Sequence, residues 1–411
     1  DASPGAIPDD IITLYQFPMD DYLSGSNKKL SLQPWITRFI GEWKAHHLLE
    51  GALVVPLLVA LQKYDFLKLP AAVKKELFCL FEHQGWSERQ KLTAVGRQML
   101  ERAYVMAIAA SYAPMLQNIG ALLCGKSGTV FARNEANQEL HVDRTINVKA
   151  SGFQHEKYSE EAILAIFNEM PLESQPKYIA DMGCGDGSFL KRVFALIQEK
   201  SVRGRVLDQY PLTLVGIDYN DEALVETEKT LQGLLHITLK GDINDPARLL
   251  VDLNAKGCQD TDSVLHIRSF LDHNRSYRPA AVSKCHPTVD YNGVYVDVEG
   301  KSIPANSLMS NLVEHLEHWS FVASKHGLLI LESHALAPVW VRTYFEQSEN
   351  FYFDTIHALS GQYLVEAEKF LMAAAQARLF PKTAPLKYPK TLAFTRITLT
   401  HLEKRDYVIR Y

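Results

Sequence analysis

Residues 178–197 read YIADMGCGDGSFLKRVFALI, and the fold is decided here. An apolar run closes on Asp181, glycines stand at 183, 185 and 187, and an amphipathic stretch starts near Ser188. That is a buried strand, a tight turn and a helix. Glycines tolerate positive φ and let a ligand approach the backbone, while the helix start offers unpaired N–H groups. A dinucleotide site wants G-x-G-x-x-G with a pyrophosphate on that helix. The spacing here is G-x-G-x-G, and Asp181 precedes the first glycine by two positions. A carboxylate there repels pyrophosphate and suits a cationic ligand that carries an amino group and a sulfonium.

Working outward, strands are predicted at 178–183, 213–218, 236–242, 263–270 and 327–334, with helical stretches between them. TLAFTRITLT (391–400) and DYVIRY (406–411) read as a closing antiparallel pair. The expected class is α/β, a doubly wound sheet with an antiparallel edge. Asp218, ending the second strand, is placed to accept both ribose hydroxyls of an adenosine. Asp242, ending the third, is placed to accept from an adenine amino group, with Ile243 packing on the ring. The connection EKSVRGRVLDQYPL (199–212) reads as a surface loop.

Glycine loop, ribose acid and adenine acid in chain order resemble the class I S-adenosylmethionine-dependent methyltransferases, over roughly 150–411. The resemblance implies a Rossmann-like seven-stranded sheet. It also implies a donor site built from Tyr158, Asp181, Gly183, Gly185, Gly187, Asp218, Tyr219, Asp242, Ile243, Arg268 and Ser269. Residues 1–145 form the expected first domain. Residues 1–30 are a polar lead-in, and from Trp35 the pattern is helical. A helix follows Pro70, and Thr93 is placed to cap another that runs on toward Met115. The Gly85-Trp86 end and LTAVGRQML (92–100) resemble the winged-helix-like N-terminal region, a helical lid, of many small-molecule methyltransferases; an unrelated helical bundle is the alternative. Residues 146–411 form the expected core, with an insert at about 276–325 that holds a short hairpin near 294–298 and a helix from about Ser310.

Ligands in such sheets sit beyond the carboxyl ends of the strands, so chemistry is expected in IRSFLDHNRSY (267–277) and LESHALAP (331–338). His273 is the candidate base or metal ligand, because an imidazole is easily poised near neutrality. Asn274 accompanies it, and His334 reads equally as a base or a core histidine. Glu314, His315, Glu317 and His318 lie on the crossover helix and read as a solvated face. His357 and Gln362 flank Ala-Leu-Ser-Gly; an imidazole with an amide oxygen suits a borderline or hard divalent metal, although an ordinary helix start explains the segment too.

The order DMGCGDG, LVGIDYN, FLDHNRSY, NLVEHLEHW, LLILESH and HALSGQYL is similar to the metal-dependent C-methyltransferase domains of polyketide synthase loading modules, the apratoxin synthase type. That resemblance implies methyl transfer to the α-carbon of a malonyl-type thioester on an acyl carrier protein, beside a mononuclear iron or manganese. It places metal ligands at His357 and Gln362, with His273 offered as a third. Physically, a cation chelated by carboxylate and thioester oxygens stabilises the enolate that carbon methylation needs. Lys29, Arg38, Arg275 and Arg278 are candidates for meeting an acidic carrier, with neighbouring synthase domains as further partners. The competing readings are a metal-free O- or C-methyltransferase of natural-product type and a non-catalytic scaffold; a nicotinamide enzyme fits the glycine spacing poorly.

The 411 residues suggest two or three domains, and 47% hydrophobic with 22% charged residues is ordinary globular material. No apolar run reaches the roughly 18 residues of a membrane span, and no secretory signal is recognisable. Five scattered cysteines without a C-x-x-C argue for a reducing cytosol rather than a disulfide framework. Forty-three basic against 48 acidic residues, a net charge of −5, argue against nucleic acid or anionic membrane as partner. The chain opens Asp-Ala-Ser-Pro, as a piece cut from a longer protein would.

Overall fold

The computed structural model describes residues 54–62, 69–135, 138–281, 291, 293–323, 325–344, 350–390 and 392–406. Lys29, Arg38, the lead-in and most of the 406–411 strand expectation lie outside the described residues. Two compact units divide after Phe153, within a helix spanning Arg144–Glu169.

In the first unit, helix α1 (Ala71–His83) leads into a hairpin of β1 (Ser87–Glu88) and β2 (Lys91–Leu92). Arg89 and Gln90 both take positive φ, the backbone sense that matches a two-residue hairpin to the strand twist. The Thr93 hydroxyl caps α2 (Ala94–Glu101), accepting from Gly96 N at 3.1 Å. Gly96 has to be glycine, since a Cβ there would lie 2.0 Å from the Trp86 carbonyl oxygen. The long helix expected after Thr93 is instead three: α2, α3 (Ala103–Ser111) and α4 (Ala113–Leu116), broken where Arg102 and Tyr112 leave helical ψ. Short helices α5 (Ile119–Leu123) and α6 (Ser127–Val130) follow, then α7 (Arg144–Glu169).

The second unit is built on one sheet. Its strands are β3 (Tyr178–Met182), β4 (Thr213–Asp218), β5 (His236–Lys240), β6 (Val264–Ser269), β9 (Leu328–Ser333), β10 (Leu379–Pro381), β11 (Leu386–Tyr388) and β12 (Ile397–Lys404). The order is β5-β4-β3-β6-β9-β12-β10, with β11 also on β12. β3, β4, β5, β6 and β9 pair in parallel, and β12 runs antiparallel to β9. The antiparallel edge is therefore real, but β12 starts only at Ile397 and takes β10 and β11 as partners.

Period-2 alternation sends Ile179 to one face of β3 and Ala180 and Met182 to the other. The first face packs α7 and α8 (Ser188–Lys200) through Ile163, Phe167, Leu190, Val193 and Ile197. The second packs α10 (Pro246–Ala255), α11 (Ala305–Val322) and α14 (Ala367–Gln376) through Leu249, Leu312, Trp319 and Phe370. Helix α11 begins at Ala305, five residues earlier than expected, just after a hairpin of β7 (Tyr295–Val296) and β8 (Ser302–Ile303). The 199–212 connection is no mere surface loop. Arg203 is 1% exposed and donates to the carbonyls of Pro176, Tyr210 and Pro211 at 2.9, 3.0 and 2.6 Å. Strand order reverses between β3 and β6, which places the ligand crevice at their carboxyl ends.

Candidate active site

The glycine loop is locked before any ligand arrives. Gly183, Gly185 and Gly187 all have positive φ, and the amides of Gly183 and Cys184 donate to Ile217 O at 2.8 and 3.0 Å. The hydroxyl of Thr227, on α9 (Asp221–Thr230), donates to Gly185 O at 2.9 Å. A Cβ at Gly216 would sit 2.7 Å from the Thr227 methyl, so the loop, β4 and α9 meet too closely for a side chain. Asp218 accepts from Gly185 N at 3.1 Å and Asn220 N at 2.9 Å, fixing its carboxylate at the end of β4. Asp181 is 3% exposed; burial and the nearby Asp218 charge hold its carboxyl well above the usual carboxylate range. A nearby cation would relieve the buried Asp181 carboxyl by favouring its charged form.

At the end of β5, Asp242 accepts from Asn244 N and Nδ2, both at 2.8 Å. Tyr219, Lys240, Asp242 and Arg248 line a cleft of about 230 Å³ there. Ile243 is buried, and its carbonyl accepts from Trp319 Nε1 at 2.9 Å. Tyr158 packs edge-on against Tyr388, ring centroids 4.6 Å apart, on the α7 face of the sheet.

Beyond β6 the chain turns through Phe270, at φ 54°, and Leu271 comes down on the glycine loop, 3.3 Å from where a Gly183 Cβ would be. A single 3-10 turn, Asp272–Asn274, follows. His273 is buried there, its Nδ1 2.5 Å from Oε1 of Glu332 and its backbone N 3.1 Å from Oε2. A carboxylate only accepts, so Nδ1 carries the proton and Nε2 is left as the basic nitrogen. Glu332 itself, 1% exposed near the end of β9, is not among the residues expected from the motifs. Its signal was there: a lone acid inside the apolar run GLLILESH must find a partner when buried. Helix α13 (Asn350–Leu359) brings His357 in, ring centroid 5.2 Å from that of His273. Tyr363 N donates to His273 O at 2.7 Å, so the Ser360-Gly361-Gln362 turn lies against the same site.

Other candidates are placed elsewhere. His334 is fully buried, with Nδ1 3.3 Å from Val365 O and Nε2 2.7 Å from Thr398 Oγ1. Both nitrogens are engaged and burial pushes its pKa down to about 3, so it is a core histidine rather than a base. Arg275 does not face a carrier: it is 2% exposed, bonded to Asn311 Oδ1 and Asp272 O, and lowered to about 10 by burial. Arg278 is exposed. Arg268 is wholly buried, paired with Asp272 at 3.0 Å and lying 4.4 Å over the Trp319 ring. Its side chain belongs to the packing under the crevice rather than to a donor contact; Ser269 Oγ is buried too. His315 is not on a solvated face, since its Nε2 donates to Asp272 Oδ1 at 3.0 Å and burial lowers it to about 4. His318 and Asn274 are exposed. Among the described residues, no group of three or more His, Cys, Asp or Glu is arranged to hold a metal, and no helix is long and apolar enough to cross a membrane.

A family model described as the AprA MT2-like domain, a methyltransferase family, matches residues 139–400, well over half the chain. The chain belongs to the AprA MT2-like methyltransferase family. A second model, the AprA winged helix domain, matches residues 50–126. No curated protein matches the chain. Among solved structures it is similar to the CurJ carbon methyltransferase at 13% identity, covering 94% of this chain and 98% of that one with a TM-score of 0.43. It is also similar to an O-methyltransferase family protein from Burkholderia thailandensis, at 14%, 88% and 96%, TM-score 0.48. A third is the citrinin polyketide synthase CMeT domain, at 11%, 98% and 100%, TM-score 0.44. As a member of the AprA MT2-like family, the protein is an S-adenosylmethionine-dependent methyltransferase.

Proposed function

We propose that the protein methylates the α-carbon of a malonyl-type thioester presented by an acyl carrier protein in natural-product assembly, with His273 as the base. The observation that carries this reading is the buried His273–Glu332 pair, two residues beyond Leu271, which packs on the glycine loop. Glu332 fixes the tautomer that points basic Nε2 away from the carboxylate, and stabilises the imidazolium that forms. Nε2 takes the α-proton, the freed electron pair forms a bond to the donor methyl, and the methyl–sulfur bond breaks with its electrons staying on sulfur. Asp181 and Asp218 hold the cationic donor so that carbon, methyl and sulfur align. The chain-order likeness to loading-module C-methyltransferase domains supports a carbon acceptor.

His357 and Gln362 would hold a mononuclear iron or manganese as an imidazole–amide pair, and the approach of the His357 ring to within 5.2 Å of the His273 ring supports a metal-assisted form of the same reaction. Bound there, the ion would supply Lewis-acid stabilisation of enolate charge. Mass spectrometry of carrier-bound malonyl, methylmalonyl and short acyl thioesters with the donor tests both readings, with and without added Fe or Mn. Methyl transfer that is lost in His273→Gln supports the base. Undiminished turnover after thorough metal removal refutes the metal, and no methylation of any carrier thioester refutes the acceptor. His357→Ala and Gln362→Ala should lower metal content by elemental analysis and leave donor binding intact.

A further inference from the structure

The turn that carries His273 is gripped from two sides. β9 holds it through Glu332, and α11 holds it through a second, separate histidine–carboxylate pair one residue earlier. Asp272 is 1% exposed, and its Oδ1 takes His315 Nε2 at 3.0 Å as well as the Arg268 guanidinium at 3.0 Å. The Asp272 carbonyl accepts from Arg275 Nη1 at 2.9 Å, and Arg275 Nε donates to Asn311 Oδ1 at 2.8 Å. Asn311 Nδ2 in turn donates to the Arg278 carbonyl at 2.9 Å. Asn311 and His315 stand four apart, on one face of α11. Burying this much charge is poor stabilisation compared with apolar packing of equal volume; what such networks supply is a single arrangement.

We propose that His315 is a positioning residue for catalysis, which through Asp272 sets the place of the His273 imidazole on the turn that follows β6. This rests on His273 being the base. Adjacent residues 272 and 273 send their side chains to opposite anchors, α11 and β9, so the backbone between them cannot swing without breaking one anchor. An error of about 1 Å in a reacting group costs on the order of 100-fold in rate.

The test compares His315→Leu, His315→Asn and His315→Gln in the full chain, measuring kcat and KM for the carrier thioester together with donor affinity by calorimetry. A glutamine amide reaches about as far as Nε2 and can donate to Asp272, whereas asparagine falls short. His315→Leu is expected to lower kcat roughly 10–100-fold with KM and donor affinity within about threefold of the native values, and His315→Gln to recover most of the loss. Should the leucine variant fail to fold, His315→Asn carries the same expectation. Native kcat in a folded Leu or Asn variant overturns the proposal, as does a kcat loss matched by equal loss of donor affinity and no recovery with glutamine. His273→Asn separates the two levels. If it retains full turnover, the base assignment and this inference fall together. If it is inactive while His315→Leu is native-like, only this inference falls.

Discussion

Replacing Glu332 by glutamine removes a charge and almost no volume. The native carboxylate receives three N–H groups: His273 Nδ1 at 2.5 Å, His273 N at 3.1 Å and Ser333 N at 2.6 Å. A glutamine amide has one oxygen, and its NH2 must face at least one of these donors. Hydrogen bonds to a charged group contribute about 1.5–3 kcal/mol and neutral ones about 0.5–1.5. Across three bonds, with one made repulsive, the variant should lose about 3 kcal/mol of stability. For a unit of this size that is a fall in Tm of roughly 6–12 °C. The larger effect is on rate, because a neutral amide no longer stabilises the imidazolium that forms when Nε2 takes the proton; general-base contributions are about 100- to 10,000-fold. Methyl transfer to a malonyl-carrier thioester, followed by mass spectrometry, should show a loss in that range, while calorimetry shows donor affinity changed less than about threefold. Turnover within a few-fold of native, in a variant that folds, would refute the pair as the catalytic base.

Asp218→Ala removes the carboxylate oriented by Gly185 N and Asn220 N. Two charge-assisted ribose contacts at about 1.5–3 kcal/mol each imply donor affinity weaker by roughly 100-fold or more, and unchanged affinity in calorimetry would count against the ribose role. Asp181 is raised by burial and by Asp218, so the donor-free fold binds its proton more tightly than the unfolded chain does. Its contribution to stability is therefore full below the ordinary carboxylate range and lost as pH rises through the raised value. Asp181→Asn should raise the donor-free Tm near neutral pH and weaken donor binding; a lower Tm would reverse that sign. Donor binding should also release a proton in the native protein and not in the variant, read as buffer-dependent heat. Arg203→Met should cost about 2–4 kcal/mol in denaturant titration, because three carbonyls, that of Pro176 buried, lose a charged donor that is itself buried.

The sheet and the donor loop were legible because their causes are local. A buried run ending in Asp181 and glycines where φ must be positive are written within a few residues of one another, and Asp218 closes the next apolar run in the same way. What stayed hidden depends on partners far along the chain. Glu332 is meaningful only against His273, and Arg275 looked like a loop cation because its acceptors, Asn311 and the Asp272 carbonyl, lie on other elements or behind the turn. On the crossover helix His315 reads as part of a solvated face; Leu308, Leu312, Leu316 and Trp319 mark the buried side of α11, and Asp272 makes a histidine tolerable beside them. The break at Arg102 leaves no mark of its own, whereas Pro114, in the first turn of α4, marks the one at Tyr112.

Thr227 wedges its methyl against Gly216 and its hydroxyl against the Gly185 carbonyl, so the donor loop is set in shape when the chain folds. Association with the donor then carries little ordering entropy of its own. The corollary is thermal: warming that loosens α9 should abolish saturation by the donor at temperatures where the sheet is still intact, so inactivation would run ahead of melting.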